Sequence, residues 1–447
     1  LLLLLLLLLA LSARASGAPA ARTAPPAASA ALPGSAGAAA TTTTLLRRGL
    51  ALYQAGKLPE AIAIYRRVAA ATPPSADAFH LLGVASFSSG DFRTAEASVR
   101  RALFLQPRNP NFHNTLGEIM RRGDPPRLEQ ALVHLNAALK LSTAGNGTSG
   151  NSNNNNGVIA AEELHNNRGL IFLEQRAFND AVAAFQDALR IQPQHVSAAH
   201  NLGLSLRSAG RVPESVEVFR ALNVDSGGGD PETVFHLAIS LQMGGALAEA
   251  RTWYEKLLRD GALRNDQHRL QAVRINLGAI FQESGDFHSA INYYRQVLAM
   301  SPDEPRALNN MGSSLWQLGD GQGAVDAYRR SIALDPASPE PHVNLGTAYY
   351  EYGDAVSAAK EYAAALRLGG TQGLQVRIAM LMKPIMASRE AVHETRRAFK
   401  KAVVALIRDA QSGVLRIPEP VKDIERLHFY LLYHGFNEYT HQVMMAR

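Results

Sequence analysis

Residues 276–302 read NLGAIFQESGDFHSAINYYRQVLAMSP, and residues 310–336 repeat the pattern as NMGSSLWQLGDGQGAVDAYRRSIALDP. In each, a glycine (Gly278, Gly312) is followed twelve residues later by an alanine (Ala290, Ala324) and sixteen residues later by a tyrosine (Tyr294, Tyr328). A proline closes each unit (Pro302, Pro336). Working outward, the same glycine recurs at Gly49, Gly83, Gly117, Gly169, Gly203 and Gly346, mostly 34 residues apart. The alanine and its larger partner recur as Ala61/Tyr65, Ala95/Val99, Ala181/Phe185 and Ala358/Tyr362, and further prolines close at Pro73, Pro107 and Pro193. A ninth, weaker copy carries Ala238 in the glycine's place, followed by Ala250 and Tyr254.

A fixed period of this length resembles the tetratricopeptide repeat, a helical hairpin that stacks on its neighbours. Small residues on both helices permit close packing, and the aromatic residues are expected to fill the gap to the next hairpin. Gly90, Gly210, Gly285, Gly319 and Gly353 fall where the first helix must stop and reverse, a backbone conformation glycine adopts cheaply. No single hairpin buries its own apolar face, so stability must come from stacking. The expectation is an all-α right-handed superhelix, a solenoid of about nine hairpins with a long concave groove.

Within 447 residues the expected organisation is a leader and disordered segment over 1–41, repeats one to three over 42–141, and a disordered Asn/Gly/Ser-rich insertion over 142–161. Repeats four to nine follow over 162–372, and a helical connector over 373–447. The chain begins with leucine, so an earlier start is expected to be missing or processed away. Leu1 to Leu9 with Ala10-Leu11 is too short to span a bilayer and is followed by Ala13-Arg14-Ala15, the small-residue spacing of a secretory leader. An organellar presequence and a translated low-complexity tract are the alternatives. Ser16 to Thr44 is Ala/Pro/Ser/Thr-rich and predicts disorder. The insertion holds a sequon, Asn146-Gly147-Thr148, which accepts a glycan only in the secretory pathway.

Composition excludes several chemistries. With 45 Lys+Arg against 39 Asp+Glu the net charge is +6, and the charges are interspersed, which does not call for a nucleic-acid partner. There is no cysteine, hence no disulfide and no thiolate. The 14 histidines form no HxxxH or HExxH arrangement, so no metal site is expected. No transmembrane helix is expected either.

Two residues before the anchoring glycine stand Asn167, Asn201, Asn276, Asn310 and Asn344, with His236 interrupting in the sixth repeat. Arg47, Leu81 and Thr115 hold the place in the first three repeats. This position is expected to face the concave surface, where a ladder of carboxamides offers donors and acceptors to the main chain of an extended or disordered segment of another protein. Asparagine is also frequent there in tetratricopeptide repeats generally. The carboxylate clamp of co-chaperones needs an asparagine just after the first anchoring glycine; those positions read Leu50, Val84, Glu118, Leu170, Leu204, Ala279, Ser313 and Thr347, and the clamp is not expected.

Beyond Gly373 the rhythm ends. Ser388 is a candidate helix cap, and the helix after it sets Val392, Phe399, Val403 and Leu406 on one side and Arg396, Arg397, Lys400 and Lys401 on the other. The wording Arg377-Ile378-Ala379, Pro384-Ile385, Ser388-Arg389, Arg396-Arg397 and Tyr433 to Asn437 resembles the connector of SPINDLY-type protein O-glycosyltransferases. Lys383 and Glu438 depart from that pattern. The resemblance implies the substrate-recognition half of an enzyme that modifies protein serine or threonine from a nucleotide sugar, UDP-N-acetylglucosamine or GDP-fucose. It also implies a cytoplasmic or nuclear setting. The catalytic lobes that follow the connector in that family are not in this sequence, so no catalytic residue is assigned and no cofactor is expected here. A non-enzymatic scaffold or adaptor for complex assembly is the alternative, and the oligomeric state stays open.

Overall fold

The computed structural model describes residues 35–71, 73–145, 159–225, 230–381 and 388–417. All regular structure among them is helical, and the chain divides into two compact units, residues 1–245 and 246–447. The first holds five hairpins: α1 (Ser35–Gln54) with α2 (Leu58–Ala69), α3 (Ala76–Ser88) with α4 (Phe92–Leu105), α5 (Pro110–Arg122) with α6 (Leu128–Gly145), α7 (Ala161–Glu174) with α8 (Phe178–Ile191), and α9 (Val196–Ser208) with α10 (Val212–Asp225). It ends with α11 (Pro231–Met243). The second holds α12 (Leu247–Arg259), then the hairpins α13 (Gln267–Glu283) with α14 (Phe287–Met300), α15 (Pro305–Gln317) with α16 (Gly321–Leu334), and α17 (Pro339–Glu351) with α18 (Ala355–Arg367). Two further helices, α19 (Gly373–Met380) and α20 (Arg389–Gln411), follow.

Each hairpin closes on its anchoring glycine. A methyl group on Gly278 would sit 2.4 Å from the Tyr294 ring, on Gly169 2.5 Å from Phe185, and on Gly203 2.6 Å from Phe219. The aromatic side chain therefore lies across the glycine of its own hairpin, where the sequence placed it in the gap to the next. The alanines twelve residues on are fully buried against the same crossing. In the fifth repeat Ser215 takes that place, and its hydroxyl donates to the Gly203 carbonyl at 2.8 Å. The third repeat is two residues out of phase, with Ala131 and Leu135 meeting Gly117.

The turns follow from local chemistry. Asp91, Asp286, Asp320 and Asp354 cap second helices by accepting from backbone N–H groups three residues on, at 2.9–3.1 Å. Prolines open α5, α11, α15 and α17 at the position where a missing N–H costs nothing. The fourth repeat has Arg176 at the reversal where most other repeats have glycine, and it adopts φ 58°.

Several boundaries move. The helix α1 begins at Ser35, inside the stretch expected to be disordered, because Ser35–Thr44 is rich in alanine, the strongest helix former. Likewise α6 runs to Gly145, past the expected start of the insertion, and Ile159 at its far side is buried, its N–H donating to Asn111 Oδ1 at 2.6 Å. The leader, the sequon and the Tyr433–Asn437 motif lie outside the described residues. In the connector, Ser388 caps α20 by accepting from the Ala391 N–H at 3.1 Å, and Phe399 and Val403 pack on Met380. Arg396, expected on the polar side, is buried, one turn before Phe399; Arg397, Lys400 and Lys401 are exposed. No helix among the described residues is long and apolar enough to cross a membrane.

Candidate functional site

The asparagines two places before the anchors sit on first helices, and their amides reach between neighbouring helices. Asn201 Nδ2 donates to Asn166 Oδ1 at 3.1 Å, Asn344 Nδ2 to Asn309 Oδ1 at 2.9 Å, and Asn167 Nδ2 to Asn114 Oδ1 at 3.0 Å. In each pair the acceptor stands three places before the preceding anchor. His80 and Thr115 occupy the equivalent pair of positions and bond at 2.8 Å. Thr115 Oγ1 already donates to the Asn111 carbonyl, so His80 Nε2 carries the proton there. Where the three-before residue is Ile275, Asn310 bonds to the Tyr294 hydroxyl instead. Asn276 donates to the Tyr254 hydroxyl at 2.9 Å.

This corrects the picture of five carboxamides standing in solvent. Asn167 is only 7 % exposed, and the other four are half-buried. Asn167 and Asn201 belong to the first unit and Asn276, Asn310 and Asn344 to the second. The position was legible from the repeat; its inward bonds were not, because they depend on the residue three places before the anchor of the preceding repeat.

Two of the five do line a groove in the second unit. Gln282, Asn309, Asn310, Ser313, Asn344 and Arg377 surround about 490 Å³ of open space bounded by α13, α15, α17 and the start of α19. Its wall is wired: Tyr294 Oη donates to Gln282 Oε1 at 3.2 Å, and Tyr328 Oη to Ser313 Oγ at 3.2 Å. Burial pushes both phenols above their usual range, which keeps them protonated and donating. Arg377 closes one end, its guanidinium over the Tyr362 ring at 5.9 Å. The wall offers amides, hydroxyls, one cation (Arg377) and one carboxylate (Glu340), which suits main-chain peptide groups.

A second cluster escaped the sequence reading. His200, Glu232 and His236 come within 4.8 Å of one another, ligand atom to ligand atom. A search for histidines on one helix misses it, since the two imidazoles come from successive repeats; Glu232 and His236, four apart on α11, were the only local signal.

Comparison with known proteins agrees with the hairpins. Tetratricopeptide-repeat models match residues 13–76, 166–231 and 275–339, and a second such model matches 231–303, together more than half of the chain. The chain belongs to the tetratricopeptide-repeat proteins. A curated relative, the Photosystem I assembly protein Ycf3 of Cyanophora paradoxa, is 40% identical over 73 residues, 16% of this chain and 40% of its own length. The match thus spans less than half of that relative. Among solved structures, a tetratricopeptide repeat protein from Parabacteroides merdae aligns at 12% identity and TM-score 0.44, over 68% of this chain and 97% of its own. The C-terminal part of a repeat-containing protein from Cytophaga hutchinsonii aligns at 13% identity and TM-score 0.45, over 60% and 99%.

Proposed function

We propose that the chain is a protein-binding scaffold of the assembly-adaptor kind, holding extended segments of partner proteins in the polar groove of its second unit. The observation that carries this reading is the convergence of Gln282, Asn309, Asn310, Ser313, Asn344 and Arg377 on one open groove. Carboxamides and hydroxyls there can bond to a peptide main chain irrespective of its side chains, and Arg377 can donate to its carbonyls, with Glu340 on the same wall. The likeness to an assembly protein supports the same class of work.

The test is fluorescence anisotropy against an array of extended peptides. Binding of extended, unstructured peptides should weaken about tenfold in Arg377→Ala, with the helical content unchanged, on the scale of one charge-assisted hydrogen bond. Equal affinities for wild type and variant would remove the groove from the argument.

The substrate-recognition half of a SPINDLY-like transferase ranks second. It rests on the connector wording, while the family matches end at residue 339. It would require the bound segments to centre on serine or threonine and to carry the sugar in the cell. UDP-N-acetylglucosamine or GDP-fucose would belong to lobes beyond this chain.

A further inference from the structure

The joint between the fifth and sixth repeats differs from the other joints of the first unit. The residue three before the anchor, His200 on α9, meets the residue two before the next, His236 on α11, with ring centroids 5.1 Å apart and nearly perpendicular. At the neighbouring joints the same two positions carry amides or a histidine–threonine pair that satisfy each other. Here both are imidazoles, and Glu232, one turn before His236, reaches back until its Oε1 is 3.8 Å from His200 Nε2. Beneath them lies Phe219, fully buried, its ring 5.6 Å from His200 and 5.8 Å from His236.

We propose that His200, Glu232 and His236 bind a divalent transition-metal ion of the zinc type and that the ion ties the fifth repeat to the sixth. Two imidazoles and a carboxylate are a donor set suited to zinc, cobalt or nickel, and three protein ligands leave a fourth position for water or a ligand from a partner. Glu232 is exposed, so the ion has a path from solvent, while Phe219 provides a dry floor that fixes both rings. A tetrahedral ion with bonds near 2.0 Å sets its ligand atoms about 3.3 Å apart. The present separations, 3.8 Å and at most 4.8 Å, have to shorten by about 0.5–1.5 Å to reach it, with the exposed Glu232 side chain able to supply part of that movement.

Charge around the cluster is mixed. Asp230, which caps α11 by accepting from the Thr233 N–H at 2.9 Å, adds a second carboxylate close to His200. Against it stands Arg207, whose guanidinium is 3.4 Å from His236 Nδ1. A guanidinium only donates, so that nitrogen presents its lone pair outward. An ion taking Nδ1 displaces Arg207, and one taking Nε2 requires the tautomer with its proton on Nδ1, which ends the same contact.

The test titrates metal-free protein with Zn2+ by calorimetry and with Co2+ by visible absorption. One equivalent should bind, Co2+ should give the intense band of tetrahedral coordination, and the melting temperature should rise with Zn2+. His200→Ala and His236→Ala should each weaken binding at least about tenfold, and Glu232→Gln, an exposed change that keeps the fold, should do the same. His134→Ala is the control: its Nδ1 lies 3.0 Å from His113 Nδ1 in a two-member pair, and its loss should leave the stoichiometry unchanged. No saturable binding below about 100 µM would overturn the site, as would binding that the three substitutions leave unaltered.

Discussion

Replacing Gly278 by alanine tests the hairpin closure directly. The added methyl would lie 2.4 Å from Cε1 and 2.8 Å from Cζ of Tyr294, where carbon–carbon contacts are comfortable at about 3.5 Å or more. The ring has to retreat by about 1 Å, and it has nowhere to go. Tyr294 is fully buried, and its hydroxyl is bonded to Gln282 Oε1 and to Asn310. Overpacking of this kind costs about 1–3 kcal/mol, and a lost hydroxyl bond adds about 1 kcal/mol. Against this, alanine recovers about 1 kcal/mol of helix propensity at a mid-helix position. The net expectation is a destabilisation of about 2 kcal/mol. Urea denaturation with hydrogen exchange at α13 and α14 amides measures it. The decisive arm is the background Tyr294→Leu, where the clash is gone and only the propensity gain remains. There Gly278→Ala should become neutral or stabilising. A neutral effect beside the intact tyrosine, or an equal loss in both backgrounds, would refute the claim that the anchor is glycine because the ring lies over it.

Three further outcomes follow from the same geometry. The triple substitution of Asn276, Asn310 and Asn344 by alanine removes bonds to Tyr254, Tyr294 and Asn309 and should cost about 3 kcal/mol in urea denaturation. Arg121 is buried between Glu118 and Glu174, donating to Glu118 at 2.9 and 3.0 Å, so Arg121→Met leaves Glu118 only the more distant Arg122 at 3.6 Å and should destabilise the first unit by about 1–2 kcal/mol; a smaller loss at pH 4 than at pH 7 would confirm the charge as the cause. Burial against Phe112 lowers the His80 pKa to about 4, below the unfolded value of 6.5. The unfolded chain therefore binds the proton first, and this stability is complete above pH 6.5 and lost as pH falls toward 4. The loss is roughly 3 kcal/mol at most, and His80→Gln should flatten the slope of unfolding free energy over that window.

What was legible in the sequence is what lies inside one hairpin. Gly278 and Tyr294 are sixteen residues apart on adjoining helices, so their spacing alone brings them together, and the buried alanine and the capping aspartate obey the same local arithmetic. Beyond Gly373 no repeat sets the phase of α20, and the polar side assigned to it from spacing includes Arg396, which is buried. The joints between hairpins needed a second reading frame. Each is decided by a residue three places before one anchor and a residue two places before the next, typically 35 apart, as in His80/Thr115, Asn166/Asn201 and Asn309/Asn344. Neither position has meaning by itself. Asn201 is a bridge because Asn166 accepts, whereas Asn310 follows Ile275 and turns to a tyrosine. Leu46 and Leu81 at the first joint pack in one apolar cluster. The chemistry of a joint is thus a property of the pair, and at His200 with His236 both members are imidazoles, flanked by Glu232 and Arg207. The difference lies in the side chains' atoms: a carboxamide carries donor and acceptor on separate atoms and can bond along a row, while the lone-pair nitrogen of a neutral imidazole is also a metal donor. An exchange of Asn166 and Asn201 for two histidines should accordingly cost the fourth joint its bridge and yield a second pair of metal-ready nitrogens, without the carboxylate that Glu232 supplies at the fifth.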